Sequence, residues 1–422
     1  MIYYTPILRK LTIFFSLLII TIIACSSCKT MEGRPDCIIT DPAGTTKETA
    51  ANYDSITVIA TKRFKSGPIK PIFQGKNYRK AWKTPIKVPV VSLAKLEGGI
   101  EPLEMGGGMQ TLSMDLLGKD GTVYTLRSVN KDPDDVIPDV ARKLNLENII
   151  MDGMSAQHPY GAIWAAALSD QIGILHTNPR IVYLPSQVHL DTFNQLYGGR
   201  LFLLEYEPEG SGDWVQMDNV KGIVDTEEVE RLLFNHPTAR IDECALVKAR
   251  LFDLLIGDWD RHAKQWGWVV TAEDNHLLFT PLPTDRDNAF YNPNGLILWT
   301  ITRPWSQPLL RPFRNKIDYL PGMVKPFDQR FLLNVPESVF VEMAHELQRD
   351  LTDEKIEKAL QSLPAQFVKL DAKKIQKRIQ ARRADLVQYA KAFKQIVDER
   401  GPLTEPLKGS SRVYIQSVVS RQ

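Results

Sequence analysis

The stretch from Arg250 to Phe290, RLFDLLIGDWDRHAKQWGWVVTAEDNHLLFTPLPTDRDNAF, constrains the fold of this chain most. Its apolar run Leu251, Phe252, Leu254, Leu255 and Ile256 predicts the buried end of a helix. Gly257 predicts its stop, because glycine accepts a left-handed backbone without steric cost. The eight residues from Asp258 to Gln265 then carry two carboxylates, Arg261, His262, Lys264 and an amide. Trp266 to Val270 predicts a strand, Thr271 to Asn275 a reversing turn, and His276 to Pro283 the return strand, which delivers Asp285 and Asp287. A helix that must end, a polar loop and a hairpin therefore follow one another without a linker.

The residue types point to a chemistry. A carboxylate on a loop, an amide five residues later and a second carboxylate closing a hairpin are the minimum set for moving a phosphoryl group. Asp260 would take the proton of an acceptor hydroxyl, while Gln265 and Asp285 would hold a divalent cation on nucleotide phosphates. Hard oxygen donors suit Mg or Mn. The segment resembles the catalytic and metal-binding loops of atypical kinases: the HipA type, the secretory-pathway kinases and the spore-coat CotH type. Their loop runs roughly Asp-x-His-x-x-Asn, matched here by Asp260, His262 and Gln265; their metal-binding Asp is matched by Asp285 or Asp287, with Asp285 the first acid off the strand. The resemblance implies an α+β, two-lobed protein-kinase-like fold with a β-rich N-lobe and a mainly helical C-lobe, using ATP or another phosphoryl donor. Gln265 departs from the pattern by one methylene. The plainer alternative is a salt-bridged turn, Arg261 to Asp258 and Arg286 to Asp287, in an inert hairpin.

Upstream, strands over Met109 to Leu117 and Thr122 to Val129 are joined by a turn at Gly118 to Gly121. Gly106, Gly107 and Gly108 stand in front of them. Consecutive glycines either bring backbone N–H groups close to phosphates or form an ordinary turn. By the same resemblance Arg127 takes the place of the phosphate-binding cation, usually a Lys, with Lys131 as the alternative; otherwise Arg127 is a surface residue paired with Asp115. Helices are expected over Val136 to Ile149 and Pro159 to Ile172. The second lacks the Glu that partners the cation in kinases, which leaves Asp170 or Asp152. Arg180 to Leu184 and Arg200 to Tyr206 read as strands, the latter ending in a hinge-like segment where Glu205 and Glu207 read as solvated. Helices over Val224 to Phe234 and Ile241 to Ile256 lead into the Asp260 loop.

The chain divides into a lipoprotein signal (1–24), a tether (25–75, polar to about Ser66), an N-lobe (76–206), a C-lobe (207–400) and a tail (401–422). Arg9 and Lys10 precede an apolar run, Leu11 to Ala24, too short for a comfortable membrane span but suited to a secretory signal. Ile22-Ile23-Ala24-Cys25 resembles a bacterial lipobox, which implies lipidation of Cys25, with Cys28 as fallback, and a lipid-anchored protein of the cell envelope on the periplasmic side of the outer membrane. Cys28 and Cys37 could pair there, and Cys244 reads as a buried thiol. A formal charge of +2, without a Lys/Arg stripe interleaved with aromatics, argues against a nucleic-acid partner. The partners expected are the membrane, a nucleotide, and a protein or glycan acceptor.

After Phe290, a Pro- and aromatic-rich region (292–326) with Trp299, Arg303, Trp305, Arg311 and Arg314 forms either a wall of the acceptor site or a packed irregular loop. Pro336 to Leu351, Thr352 to Leu363 and Asp371 to Arg400 read as amphipathic helices, with Thr352 as an N-cap and the basic run Lys373 to Arg383 as a solvated face. The function is then a phosphotransferase of the envelope. Its alternative is a catalytically inactive kinase-like binding or scaffold module for an outer-membrane or polysaccharide partner. A metal-dependent phosphoester hydrolase has too few His ligands here.

Overall fold

A computed structural model describes residues 37–41, 44–47, 49–106, 111–131, 147–273, 276–404 and 407. Among the described residues the strands are, in chain order, β1 (Ile38–Ile39), β2 (Ser55–Ile59), β3 (Ile86–Pro89), β4 (Ile100–Gly106), β5 (Ser113–Gly118), β6 (Val123–Ser128), β7 (Arg180–Leu184), β8 (Arg200–Tyr206), β9 (Val220–Asp225), β10 (Ala239–Ile241), β11 (Trp266–Glu273) and β12 (His276–Pro283). The helices used below are α1 (Lys70–Gln74), α2 (Gly161–Asp170), α3 (Thr226–Asn235), α4 (Glu243–Ile256), α5 (Leu296–Ile301), α6 (Pro326–Leu332), α7 (Glu337–Asp350), α8 (Asp353–Leu360), α9 (Lys373–Ala384) and α10 (Leu386–Arg400).

The first lobe is built on a five-stranded antiparallel sheet in the order β4-β5-β6-β8-β7. Side chains alternate across a strand, so each segment sorts its residues onto two faces. Met114, Leu116, Tyr124, Leu126, Phe202 and Leu204 lie in one apolar cluster with Leu93, Leu190 and Tyr197. The alternate positions, Asp115, Thr125, Arg127, Leu203 and Glu205, fall on the other face, and Leu203 joins the main core. One face thus holds the lobe together and the other is left for the cleft.

The second lobe surrounds α4, from which Leu246, Val247 and every residue from Ala249 to Ile256 are buried. A mixed sheet, β10-β12-β11-β9, packs beside it, and the β11–β12 hairpin runs in unbroken register from Trp266 opposite Pro283 to Glu273 opposite His276. Helices α6 to α10 close the other side, with α7 against both α4 and α10. The layout is α+β and two-lobed, in the chain order strands, helices, loop and hairpin. No helix among the described residues is long and apolar enough to cross a membrane.

Several sequence expectations need correction. The tether read to about Ser66 already contains folded chain: β1, β2 and β3 form an antiparallel sheet, and Ile56 and Val58 of the alternating segment SITVI are fully buried. The helix expected from Val224 starts at Thr226, because residues 220–225 pair with β11 and Asp225 caps the helix by accepting the Glu228 N–H at 2.7 Å. Cys244 is exposed and Cys37 buried. Cys25 and Cys28 lie outside the described residues, as does most of the helix expected over Val136 to Ile149. The final helix is two helices broken at Asp385, and Arg382 is 2% exposed rather than solvated. Its guanidinium donates to the backbone oxygens of Leu254 at 2.6 Å and Arg314 at 2.7 Å, so it satisfies a carbonyl in the last turn of α4.

Candidate active site

Gly257 ends α4 in the left-handed region (φ +71°), and the next residues turn into the Asp258 to Gln265 loop. A buried charge network then fixes this loop to the hairpin. Asp253, fully buried on α4, meets three guanidiniums: Arg250 at 2.9 Å, Arg261 at 3.3 Å and Arg286 at 3.1 Å. Arg261 donates to the backbone oxygens of Thr284 (2.6 Å) and Gln265 (2.9 Å), tying its loop to the end of β12. Arg286 also donates to the Ser169 hydroxyl at 2.9 Å, tying the residues after β12 to α2. The pairing expected of the inert turn is half present: Arg261 lies 3.8 Å from Asp258, but Arg286 belongs to Asp253 and not to Asp287.

Asp285 adopts a left-handed backbone (φ +49°), which Asp tolerates better than most residues. That turn aims Asp285 and Asp287 at the first lobe. Arg127 on β6 lies 3.7 Å from Asp285, and Lys131 bonds Asp287. Arg127 is itself held by Glu205 on β8 at 3.0 Å. The register explains the pair: Leu203 sits opposite Arg127 and Glu205 opposite Thr125, so Arg127 and Glu205 are diagonal neighbours on one face. The same rung runs outward through Ser113 to Gly106, placing that glycine two strands, about 10 Å, from Arg127. Gly107 and Gly108 lie outside the described residues.

Arg127, Lys131, Asp285 and Asp287 face one another across an open cleft between the lobes, with Val129 and Leu203 in its apolar wall. Burial lowers the pKa of Arg127, but Asp285, Glu205, Glu207 and Asp287 more than reverse this and the net shift is upward. Lys131 behaves likewise: burial opposes its charge, and Asp287, Asp285 and Asp260 raise its pKa above the ordinary value. Asp285 has the opposite balance. Burial raises its pKa, yet Arg127, Lys131, Arg261 and His262 bring it below the usual carboxylate range. Asp287 is pushed up to about 6 by burial and by the neighbouring Asp285 charge, against Lys131 and Arg127. Burial pushes Glu205 up to about 7 despite Arg127.

Asp260 and His262 are half-buried on the loop beside this cleft, and neither lines it. The Asp260 N–H donates to Asp258 Oδ1 at 3.3 Å, and burial pushes Asp258 up to about 8 against the lowering effect of Arg261.

The residues expected to hold a metal differ in their surroundings. Gln265 is buried, and its Oε1 accepts from Arg261 at 3.2 Å, so that amide oxygen is committed to the network beneath the loop. Asp285 and Asp287 do fit a hard cation. Both are oxygen donors at the cleft, and Asp287 Oδ1 is buried with no hydrogen-bond partner among the described residues. No group of three or more His, Cys, Asp or Glu is arranged to share an ion among those residues.

The acids proposed for Arg127 are placed elsewhere. Asp152 is buried against Arg79 and lies 2.7 Å from Lys70; Asp170 lies 2.8 Å from His176. Asp115 accepts from the Thr125 hydroxyl at 3.0 Å. Sequence reasoning read Glu205 as solvated, and it is 6% exposed. The signal was the strand alternation in RLFLLEY, which puts Glu205 on the face of Leu201 and Leu203. It also passed over Asp253, an acid inside the apolar run LFDLLI that only buried partners could stabilise.

No protein-family model matches the chain, and no curated protein matches it. Among the solved structures similar to it, two are described. The Helicobacter pylori proinflammatory kinase CtkA is 12% identical, with 73% of this chain and 99% of that chain covered and a TM-score of 0.39. The Shewanella oneidensis MR-1 toxin–antitoxin system HipA, solved with HipB and its operator DNA, is 13% identical, with 74% and 77% covered and a TM-score of 0.37. Neither overlap is close enough to carry weight beside the geometry of the cleft.

Proposed function

We propose that this chain is a phosphotransferase that binds a nucleoside triphosphate in the cleft between Arg127 and Asp285. The observation that carries the reading is the convergence of a strand cation fixed by a buried acid, Arg127 with Glu205, on the carboxylates that close the β11–β12 hairpin. Arg127 offers a planar fork to phosphate oxygens, and Glu205 limits its rotamers before the ligand arrives. Asp285 and Asp287 would hold Mg²⁺ or Mn²⁺, which would offset phosphate charge. Until then Arg127 and Lys131 neutralise the same carboxylates. Gly106 lies on the rung beyond Arg127 and leaves the backbone open to the phosphates. Asp260 receives the proton of the acceptor hydroxyl while the new oxygen–phosphorus bond forms and the bond to the leaving diphosphate breaks.

A second reading is a binding or scaffold module that holds an anion without turnover. The commitment of Gln265 to Arg261 favours it, since one ligand of the kinase pattern is missing. Cys25 and its apolar leader support a lipid-anchored place in the cell envelope, where nucleotide is scarce and another phosphoryl donor would serve. Incubating the full chain with γ-labelled ATP, Mn²⁺ and an envelope extract separates the two readings. Transfer by the wild type, with none by Asp260→Asn despite intact nucleotide binding, is expected; binding without transfer in the wild type would favour the scaffold.

A further inference from the structure

We propose that α1, α5 and the residues after α5 form a face that docks on a membrane surface bearing anionic headgroups. Six large apolar side chains are exposed there: Ile69 and Ile72 at α1, Leu296 and Trp299 on α5, and Trp305 and Leu309 beyond it. They belong to one patch because α1 packs on α5 and the two backbones touch. A Cβ on Gly295 would stand 2.2 Å from the Gly75 nitrogen, and the Asn294 N–H donates to Asn77 Oδ1 at 2.9 Å. Inward, Leu298 is buried in a cluster with Ala156 and Tyr291, so α5 cannot roll to hide Trp299 without emptying that cluster. Trp305 is 78% exposed and Ile72 66%, more than isolated surface residues on a settled globule require.

The charge around this patch names the occupant. From Ser55 to Leu96 the chain has ten Lys and Arg and no Asp or Glu, and from Asn288 to Ile317 four and none, against an excess of only two over the whole chain; of these, Lys70 and Arg79 pair with Asp152 and Arg311 with Asp318. Lys65 and Lys76, which flank α1 in sequence, are exposed, and the Arg303 guanidinium lies 3.7 Å over the Trp299 ring. Tryptophan and aliphatic side chains among cations, on segments free of acids, match the boundary between acyl chains and anionic headgroups. A second copy using the same face would bring the exposed Lys65 and Lys76 of both chains together, an unfavourable arrangement for a two-fold contact. The face does not depend on the lipid proposed at Cys25. With that lipid, the twelve residues to Cys37 would reach at most about 42 Å and keep the folded body beside the bilayer.

The leader would carry the full chain to any vesicle, so binding alone is not the readout. The full chain is reconstituted into phosphatidylcholine vesicles with about 30 mol% phosphatidylglycerol and brominated acyl chains, and tryptophan quenching is compared with Trp299→Ser/Trp305→Ser. Both positions are exposed, so the variant keeps its fold. Quenching that is lost in the variant, in phosphatidylcholine alone and in about 0.5 M salt is expected. Equal quenching of the two proteins, or quenching indifferent to phosphatidylglycerol, would overturn the proposal. So would lipid-free, concentration-dependent protection of Trp305 from hydroxyl radicals, which would assign the face to a second copy.

Discussion

Asp253→Asn removes one charge from the network beneath the loops and keeps the shape of the side chain. Arg250, Arg261 and Arg286 all contact this carboxylate, at side-chain exposures of 0%, 0% and 4%, so water screens little of the loss. Arg250 keeps a second partner, Asp328, at 2.6 Å; Arg286 keeps the Ser169 hydroxyl but has no second carboxylate in contact among the described residues. Burial already pulls the Arg286 pKa down to about 10, with Asp253 opposing. Leaving a buried charge without its partner costs about 3–5 kcal/mol, a large part of the roughly 5–15 kcal/mol that holds a domain folded. Urea unfolding of the full chain, followed by far-ultraviolet circular dichroism, measures it. Adding Arg286→Met to Asp253→Asn should restore about 2 kcal/mol, because the charge left without a carboxylate goes too. Adding Arg250→Met should not, since it strands Asp328. A loss below about 1 kcal/mol in Asp253→Asn, or equal recovery in both double variants, would refute this assignment.

Asp258 holds its proton in the folded protein up to about pH 8, whereas the unfolded chain releases it near pH 4. The folded state binds the extra proton, so this group's contribution falls as pH rises through that window; Asp258→Asn should gain melting temperature over the wild type at pH 8 relative to pH 4. Gly257→Ala should destabilise by about 2 kcal/mol or more: an L residue is strained at φ +71°, and its Cβ would stand 2.8 Å from Phe313 Cδ2. Thermal melts at fixed pH check that loss.

The segment from Arg250 to Phe290 was legible because each of its elements is fixed locally. The apolar run, the glycine stop and the alternation of the two strands need no partner to be read; the helix, its stop and the return strand appear where expected, while the first strand runs on to Glu273, three residues into the expected turn. Arg127 and the hairpin carboxylates were legible as residue types with a common chemistry. Which acid serves Arg127 was not, because that depends on the pairing of β6 with β8, strands far apart in sequence. Gln265 was legible only in part, for a related reason. Its place in the loop pattern was visible, but not that the neighbouring Arg261 would reach back to its amide oxygen. In the first lobe the strand Ser55–Ile59 hid in a polar stretch because only five residues carry its pattern.

Isothermal titration of the full chain with Mg²⁺ and a non-hydrolysable ATP analogue tests the cleft most directly. Binding by the wild type is expected, weakened about ten-fold or more by Asp285→Asn and by Arg127→Met, each worth at least about 1.4 kcal/mol. Undiminished affinity in both variants, or no heat and no thermal stabilisation of the wild type with any nucleotide, would contradict a phosphate site between Arg127 and Asp285.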